Sequence, residues 1–140
     1  MKLVIDANEL FSALVSHGRG RTTKKVELLY SAAVELYAPS LLFDELRRNK
    51  REIMAKSGLS GGDFDRLLAL FQSRIKPVPE SELRAKLREA DAICPDPDDT
   101  AYFAAALHLG CPIWSGEEKL KRQKRVPVLN TRELVEQHGL

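Results

Sequence analysis

Short apolar runs that alternate with longer helical patterns constrain this chain more than any other feature of its sequence. The runs lie at Leu3–Ile5, Val34–Ala38, Ile75–Val78, Pro112–Ser115 and Val126–Leu129. Between them, apolar residues recur at the spacing of an α-helix. Strands that are joined by helices pair in parallel, and a parallel sheet is covered by helices on both faces. We therefore predict an α/β fold with three layers, α/β/α, around a central, mainly parallel sheet.

Several local features refine this prediction. Pro77 in the run Ile75–Val78, and Pro79 directly after it, suit an edge strand, where a missing N–H group costs no ladder hydrogen bond. A long helix is predicted to begin at Pro39 or Ser40 and to end near Gly58. The helix from Thr100 to Leu107 is apolar on nearly every face, which predicts that most of its surface is buried.

Composition limits the class of protein. The chain has 140 residues, of which 44% are hydrophobic and 30% are charged, so we expect a single domain over residues 1–140 with its own core and no long disorder. The first apolar run is short and ends in an acid, and no run approaches the roughly 20 apolar residues of a membrane span. Two cysteines without CxxC spacing indicate reduced thiols. We expect a cytoplasmic protein without membrane segments.

Four acidic residues stand at positions where a parallel sheet builds its sites. Asp6 ends the first strand, and Glu117 follows the strand that contains Ile113. Asp99 lies in the first turn of the buried helix, and Glu45 lies in the second turn of the long helix. The carboxyl ends of parallel strands and the helices that follow them meet at one edge of the sheet. The sequence therefore predicts that the four carboxylates share one cleft.

Each acid also has a purely structural interpretation. An Asp between a strand and a helix commonly caps the helix. Asp98 is predicted to cap the buried helix, with Asp99 at its first position, and Glu45 beside Asp44 fits a solvated helix face. The joint placement of the acids favours a functional site, because independent caps would not need to converge.

Crowded carboxylates repel one another unless a cation neutralises them. Ligands that are all oxygen suit Mg²⁺ or Mn²⁺, which bind through one or two carboxylates together with substrate phosphate. Such a site hydrolyses phosphodiester bonds by lowering the pKa of a bound water molecule. Zinc is disfavoured, since His108, Cys94 and Cys111 have no structural zinc spacing.

Four segments, in this order and at these spacings, resemble the signature segments of PIN domains over essentially the whole chain. They are Val4–Asn8, Pro39–Leu46, Asp96–Ala106 and Ile113–Glu117. The resemblance implies a PIN-like α/β/α fold related to flap-endonuclease-like nucleases. It extends to the VapC toxins, which are Mg²⁺-dependent endoribonucleases.

Transferred residue by residue, the resemblance implies that Asp6, Glu45 and Asp99 are the principal catalytic and metal-binding acids. Glu117 takes the fourth acidic position, and Asp96 is an additional candidate ligand.

The same resemblance implies two supporting residues: Asn8 would orient Asp6, and the Ser115 hydroxyl would line the site. The chain also departs from the family pattern. Ala7 replaces a hydroxyl residue, Ser115 replaces Thr, and Glu117 replaces Asp.

Basic residues cluster in three windows that contain no acid, at 19–25, 47–51 and 119–125. These windows hold 13 of the 22 basic residues, although the formal net charge is only +2. They fit either solvated helix faces or an RNA-binding surface. The candidate RNA contacts are Arg48, Arg51, Lys119, Lys121 and Arg122.

The residues predict metal-dependent cleavage of a phosphodiester, and the resemblance implies a Mg²⁺- or Mn²⁺-dependent endoribonuclease that could be the toxin of a toxin-antitoxin pair. RNA and an antitoxin protein are the expected partners. A homodimer is expected as well, because PIN relatives often dimerise, and the apolar stripe Phe64, Leu67, Leu68 and Phe71 could serve either the core or that contact. Two alternatives stay open, namely a non-catalytic module that binds RNA or protein and a metal-dependent phosphatase.

Overall fold

The computed structural model describes residues 1–140 and contains a five-stranded sheet in which every strand pair is parallel. The strands are β1 (Lys2–Ile5), β2 (Glu35–Pro39), β3 (Ile75–Val78), β4 (Ile113–Trp114) and β5 (Val128–Leu129). Their order across the sheet is β3-β2-β1-β4-β5, so β3 is the edge strand that Pro77 and Pro79 predict. The predicted α/β fold is confirmed, and the sheet is parallel throughout.

Eight α-helices connect and cover the strands. They are α1 (Ala7–Gly18), α2 (Lys24–Tyr30), α3 (Leu41–Arg48), α4 (Lys50–Ser57), α5 (Gly61–Arg74), α6 (Glu80–Ile93), α7 (Thr100–Leu109) and α8 (Thr131–His138). Helix α7 packs on β1, β2 and β4 and against α6, while α2, α3, α4 and α5 pack against α1. This arrangement is the predicted three-layer α/β/α sandwich. None of the helices is both long enough and apolar enough to cross a membrane.

The core explains why these segments fold as they do. Leu3, Val4 and Ile5 in β1 are completely buried, as expected for a central strand covered on both faces. In α7, Ala104 and Ala105 are fully buried, and their small side chains allow the helix to lie close to the sheet. The predicted burial of this helix is confirmed.

The apolar stripe of α5 belongs to this core. Phe64 and Phe71 are fully buried, and Leu67 and Leu68 retain less than a tenth of their exposure. Of the two interpretations of the stripe, core packing is therefore the correct one. Leu70, on the opposite side of α5, is 47% exposed.

Three local predictions were wrong. The predicted long helix is divided at Asn49, whose backbone (φ −95°, ψ 13°) leaves the helical region and lets α3 and α4 each pack on α1. The cap of α7 is Asp99 itself, because Asp98 belongs to a preceding 3-10 helix, Pro97–Asp99. The last two strands are shorter than their apolar runs.

Candidate functional site

The site lies where the chain reverses direction across the sheet. β1 is followed by β2 on one side, whereas β4 pairs with β1 on the other, so the loops after β1 and β4 diverge and leave a crevice at their carboxyl ends. The two strand ends are joined by a hydrogen bond from the Asp6 backbone N–H to the Trp114 carbonyl oxygen, 3.0 Å long. Asp6 and Ser115, the residues that follow the two strands, thus stand side by side.

Asp6 is the most deeply placed acid of the site, with 4% of its surface exposed. It caps α1, since its Oδ1 accepts a 3.4 Å hydrogen bond from the Asn8 backbone N–H. Its Oδ2 accepts a 2.7 Å hydrogen bond from the Ser115 hydroxyl. Burial raises the pKa of the Asp6 carboxyl, these two hydrogen bonds lower it, and the charges of Glu117 and Glu9 raise it further. Asp6 therefore caps α1, and burial and neighbouring negative charges disfavour the ionised form of its carboxyl.

Asp99 reaches the same crevice from the start of α7. It is the N-cap residue of that helix, but its side chain makes no capping hydrogen bond and is therefore free to act elsewhere. Burial raises the pKa of the Asp99 carboxyl to about 7, and the negative charges of Asp6, Glu117 and Asp96 contribute in the same direction. Lys119 opposes this shift. At neutral pH the carboxyl group is therefore poised between its protonated and ionised forms.

Glu45 approaches from the middle of α3 and is half-buried. Burial raises the pKa of its carboxyl, Arg48 lowers it, and the charge of Asp6 raises it. The Tyr102 hydroxyl of α7 is buried near this carboxyl and has no hydrogen-bond partner of ordinary geometry. Burial and the charges of Glu45 and Asp6 raise the pKa of that hydroxyl, so it remains a proton donor. Glu45, Tyr102 and Asp6 therefore share one electrostatic environment.

Glu117 follows β4 and completes the predicted set. Its backbone N–H donates to the Ser115 hydroxyl oxygen at 3.1 Å, which fixes the loop against Asp6. Its carboxylate lies 3.6 Å from the Lys119 ammonium group. Glu117 thus sits near the other acids but, unlike them, has a basic partner.

The pairing of acids distinguishes three residues from all others. Every other acid that is at least partly shielded from solvent lies within 4.0 Å of a lysine or arginine nitrogen: Glu9, Glu89, Asp96, Glu117 and Glu133. Asp6, Glu45 and Asp99 are shielded and have no such partner. A negative charge that is shielded and unpaired is costly. The charge of Asp6 acts on both Glu45 and Asp99, so the structure places the three principal predicted acids within electrostatic reach of one another and leaves each without a salt-bridge partner.

Comparison with known protein families agrees with this geometry. A family model described as PIN domain matches residues 4–138 of the chain. This chain belongs to the PIN domain family. A search of curated proteins found no match. PIN domains are generally nucleases, which makes a nuclease-type activity the coarse function of this chain.

In this PIN domain, Glu9, which the sequence did not single out, connects the helix after Asp6 to the loop after β4. Glu9 is 5% exposed, one of its oxygens accepts a 2.8 Å hydrogen bond from the Gly116 backbone N–H, and the other lies 2.8 Å from Lys25 Nζ. A side chain at Gly116 would place its Cβ 3.1 Å from that first oxygen. Glu9 therefore ties α1 to the loop that carries Ser115 and Glu117. Its position one helical turn after Asp6 was the available signal.

The predicted supporting residue Asn8 and the additional candidate ligand Asp96 make other contacts than expected. Asn8 meets Asp6 only through its backbone N–H, and its side chain is exposed. Asp96 uses both oxygens for structure, because one accepts from the Asp98 N–H at 3.0 Å and the other from Lys119 at 2.6 Å. The predicted role of Asp96 as a ligand would require it to leave Lys119.

Some basic residues of the acid-free windows form salt bridges with acids from other parts of the chain. Lys121 pairs with Glu133, and Lys119 with Asp96 and Glu117. Arg48, Arg51 and Arg122 are exposed, and none of them forms a salt bridge. Arg48 is the exposed arginine whose charge acts on Glu45, so it is a predicted RNA contact beside the principal acids.

The donor set fits a divalent metal ion in its chemistry. All of its groups are carboxylate or hydroxyl oxygens, which suit Mg²⁺ and Mn²⁺. Burial first, and neighbouring negative charge second, raise the pKa of Asp6, Asp99 and Glu45, and a bound cation would offset both effects. No three His, Cys, Asp or Glu side chains are already gathered at ligand spacing. Mg²⁺ does not need such a group, because it commonly binds through one or two carboxylates and keeps several waters.

Proposed function

We propose that this PIN domain is a Mg²⁺- or Mn²⁺-dependent endoribonuclease. The observation that carries the proposal is the cluster of Asp6, Glu45 and Asp99, the shielded acids that have no basic partner. A divalent cation would relieve their repulsion, and the phosphate of a nucleic acid would bring a further oxygen ligand. The nuclease character follows from the family, and the choice of metal and of RNA is our proposal.

Different residues of the site would bind the cation, orient its ligands and bind the RNA backbone. Asp6, Asp99 and Glu45 would hold the cation, with Glu117 at the margin of the set. The bound cation supplies charge neutralisation of the phosphate and a water molecule of lowered pKa. The Ser115 hydroxyl, 2.7 Å from Asp6, keeps that carboxylate oriented toward the crevice. The exposed guanidinium group of Arg48 would hold an adjacent phosphate of the RNA backbone.

The openness of the site supports a polymer substrate over a small phosphoester. None of the four acids lines any of the cavities in the structure, the largest of which has a volume of about 370 Å³. Enzymes that act on small molecules usually enclose most of the ligand surface. Partly shielded acids that lie outside any enclosed cavity, beside the exposed Arg48, suit a backbone that passes across them.

The deciding experiment compares the wild type with Asp6→Asn on single-stranded RNA. We expect cleavage with Mn²⁺ or Mg²⁺, none after chelation, and a loss of at least about a hundredfold in Asp6→Asn. Asn keeps a side-chain oxygen that can cap α1, so the fold should persist. Asp65→Asn, an exposed change on α5, is the matched control and should cleave normally.

Metal titration separates this proposal from a non-catalytic module. We expect millimolar Mn²⁺ to raise the Tm of the wild type but not of Asp6→Asn, because a ligand that binds only the folded state stabilises it. Equal Tm values with and without Mn²⁺, together with equal RNA cleavage by the two proteins, would refute the proposal. Activity on a phosphomonoester without activity on RNA would indicate a phosphatase.

The biological setting is proposed on the resemblance to VapC toxins alone. We propose a cytoplasmic toxin that is restrained by an antitoxin protein and that forms a homodimer. Size-exclusion chromatography with light scattering tests the dimer. Growth arrest on induction of the wild type, absent with Asp6→Asn, tests the toxin role.

A further inference from the structure

Lys119 forms a bridge between two carboxylates at the edge of the acidic cluster. Its Nζ lies 2.6 Å from an Asp96 oxygen and 3.6 Å from a Glu117 oxygen. Asp96 precedes the 3-10 helix that leads into Asp99, and Glu117 follows β4. The ammonium group therefore joins the two loops that bound the crevice on the β4 side.

The acids of the site thus fall into two groups. Asp6, Glu45 and Asp99 have no basic partner, whereas Asp96 and Glu117 share Lys119. The Asp96 oxygens are both occupied, one by Lys119 and one by the Asp98 N–H. Any second metal ion held by Glu117 and Asp96 would have to displace the ammonium group and would be repelled by it.

We infer that Lys119 is a built-in counter-ion, which takes the place of a second divalent cation and limits the site to one. The inference rests on the proposed metal-dependent function and adds its stoichiometry. A lysine suits this role because its compact ammonium group carries three donors and can serve two carboxylates at once. Lys119 acts here as a positioning residue, since it shapes the ligand set through Asp96 and Glu117.

The pKa values agree with this division. The hydrogen bond to Lys119 lowers the pKa of Asp96, so this carboxylate stays ionised and paired. By contrast, the pKa of Asp99 is raised although Lys119 opposes the shift. The lysine compensates its direct partners and leaves the unpaired cluster short of positive charge.

The test counts bound Mn²⁺ directly, by calorimetric titration and by the electron paramagnetic resonance signal of free Mn²⁺. We expect one ion per wild-type chain and two per chain in Lys119→Met, which removes the charge and keeps the aliphatic length. Lys119→Arg keeps the charge and should bind one ion. Lys121→Met is the matched control on the same 3-10 helix, Glu118–Arg122, because its partner Glu133 lies outside the cluster. It should also bind one ion.

The number of bound Mn²⁺ ions distinguishes failure of the counter-ion role of Lys119 from failure of the proposed metal-dependent nuclease. One ion in both the wild type and Lys119→Met, lost in each on Asp6→Asn, overturns the inference and leaves the nuclease proposal standing. Two ions in the wild type overturn it as well. No Mn²⁺ bound by any variant defeats the proposed function. Circular dichroism of each variant confirms folding, which the 40% exposure of the Lys119 side chain should allow.

Discussion

Removing one carboxylate from the cluster should stabilise the metal-free protein. We predict that Asp99→Asn unfolds at a higher temperature than the wild type in chelator at pH 8. The reason is that burial, together with the charges of Asp6 and Glu117, raises the pKa of Asp99 from 3.8 to about 7 on folding. Asn is a good N-cap residue, so the start of α7 loses nothing by the exchange.

The expected gain in the free energy of unfolding follows from the pKa shift of Asp99. About three pKa units at about 1.4 kcal/mol each set an upper limit of about 4 kcal/mol for the cost of ionising Asp99 in the folded state. Because Asp99 is only half-buried, solvent screens part of this cost, and we expect about 2 kcal/mol. For a chain of this size that is a rise in Tm of about 4–8 °C.

The pH dependence has a definite sign. A carboxyl whose pKa is raised in the folded state holds its proton more tightly there, so the wild type loses stability as pH rises from about 4 to about 7. The advantage of Asp99→Asn should therefore be smaller at pH 5 than at pH 8. Saturating Mn²⁺ should reverse it, because the cation stabilises only the chain that can bind it.

The assay is thermal and urea unfolding followed by circular dichroism in chelator at several pH values. Asp91→Asn, an exposed acid at the end of α6, is the control and should change Tm by less than about 2 °C. If Asp99→Asn is no more stable than the wild type at pH 8, or gains equally at all pH values, Asp99 does not lie in a repulsive cluster and the electrostatic argument fails.

Two further predictions concern the groups that hold the site together. Ser115→Ala should lower the rate of RNA cleavage at least about tenfold and the free energy of unfolding by about 1–2 kcal/mol, because Asp6 and the Glu117 backbone lose the hydroxyl that both contact. The control Ser40→Ala should change neither quantity. Unchanged cleavage by Ser115→Ala would show that Asp6 does not need this hydrogen bond. Glu9→Ala should cost about 3 kcal/mol in urea unfolding, because Lys25 and the Gly116 N–H both lose a buried partner, and a cost no larger than that of the exposed Glu27→Ala would contradict this.

Much of the fold could be predicted because its patterns are local. The apolar runs and the helical spacing define the strands and most helices, and Pro77 and Pro79 already indicate an edge. The break at Asn49 could not be read in this way, since the apolar pattern continues across it. It depends on how α3 and α4 pack against α1, which is a tertiary property.

The positions of the four acids in the fold could be predicted as well, whereas their role in a site stays a prediction. Strand ends and helix starts place Asp6, Glu45, Asp99 and Glu117 at one edge of a parallel sheet, whatever the loops do. The pairing of Lys119 with Asp96, 23 residues apart, depends on the path of two loops and has no sequence pattern. The role of Glu9 could not be predicted either, because its partners Lys25 and Gly116 lie on other elements and no local sequence pattern relates them.

Charge shows most clearly what folding adds to the sequence. In sequence, bases lie in windows without acids, which suggested a segregated basic surface. In space, Lys50 meets Asp65, Arg125 meets Glu89 and Lys25 meets Glu9, so acids that are distant in sequence pair with bases in all three windows. The shielded charge that no base neutralises is confined to Asp6, Glu45 and Asp99. A fold that pairs nearly every other shielded acid but leaves these three together carries a local deficit of positive charge, and this deficit is what a divalent cation would fill.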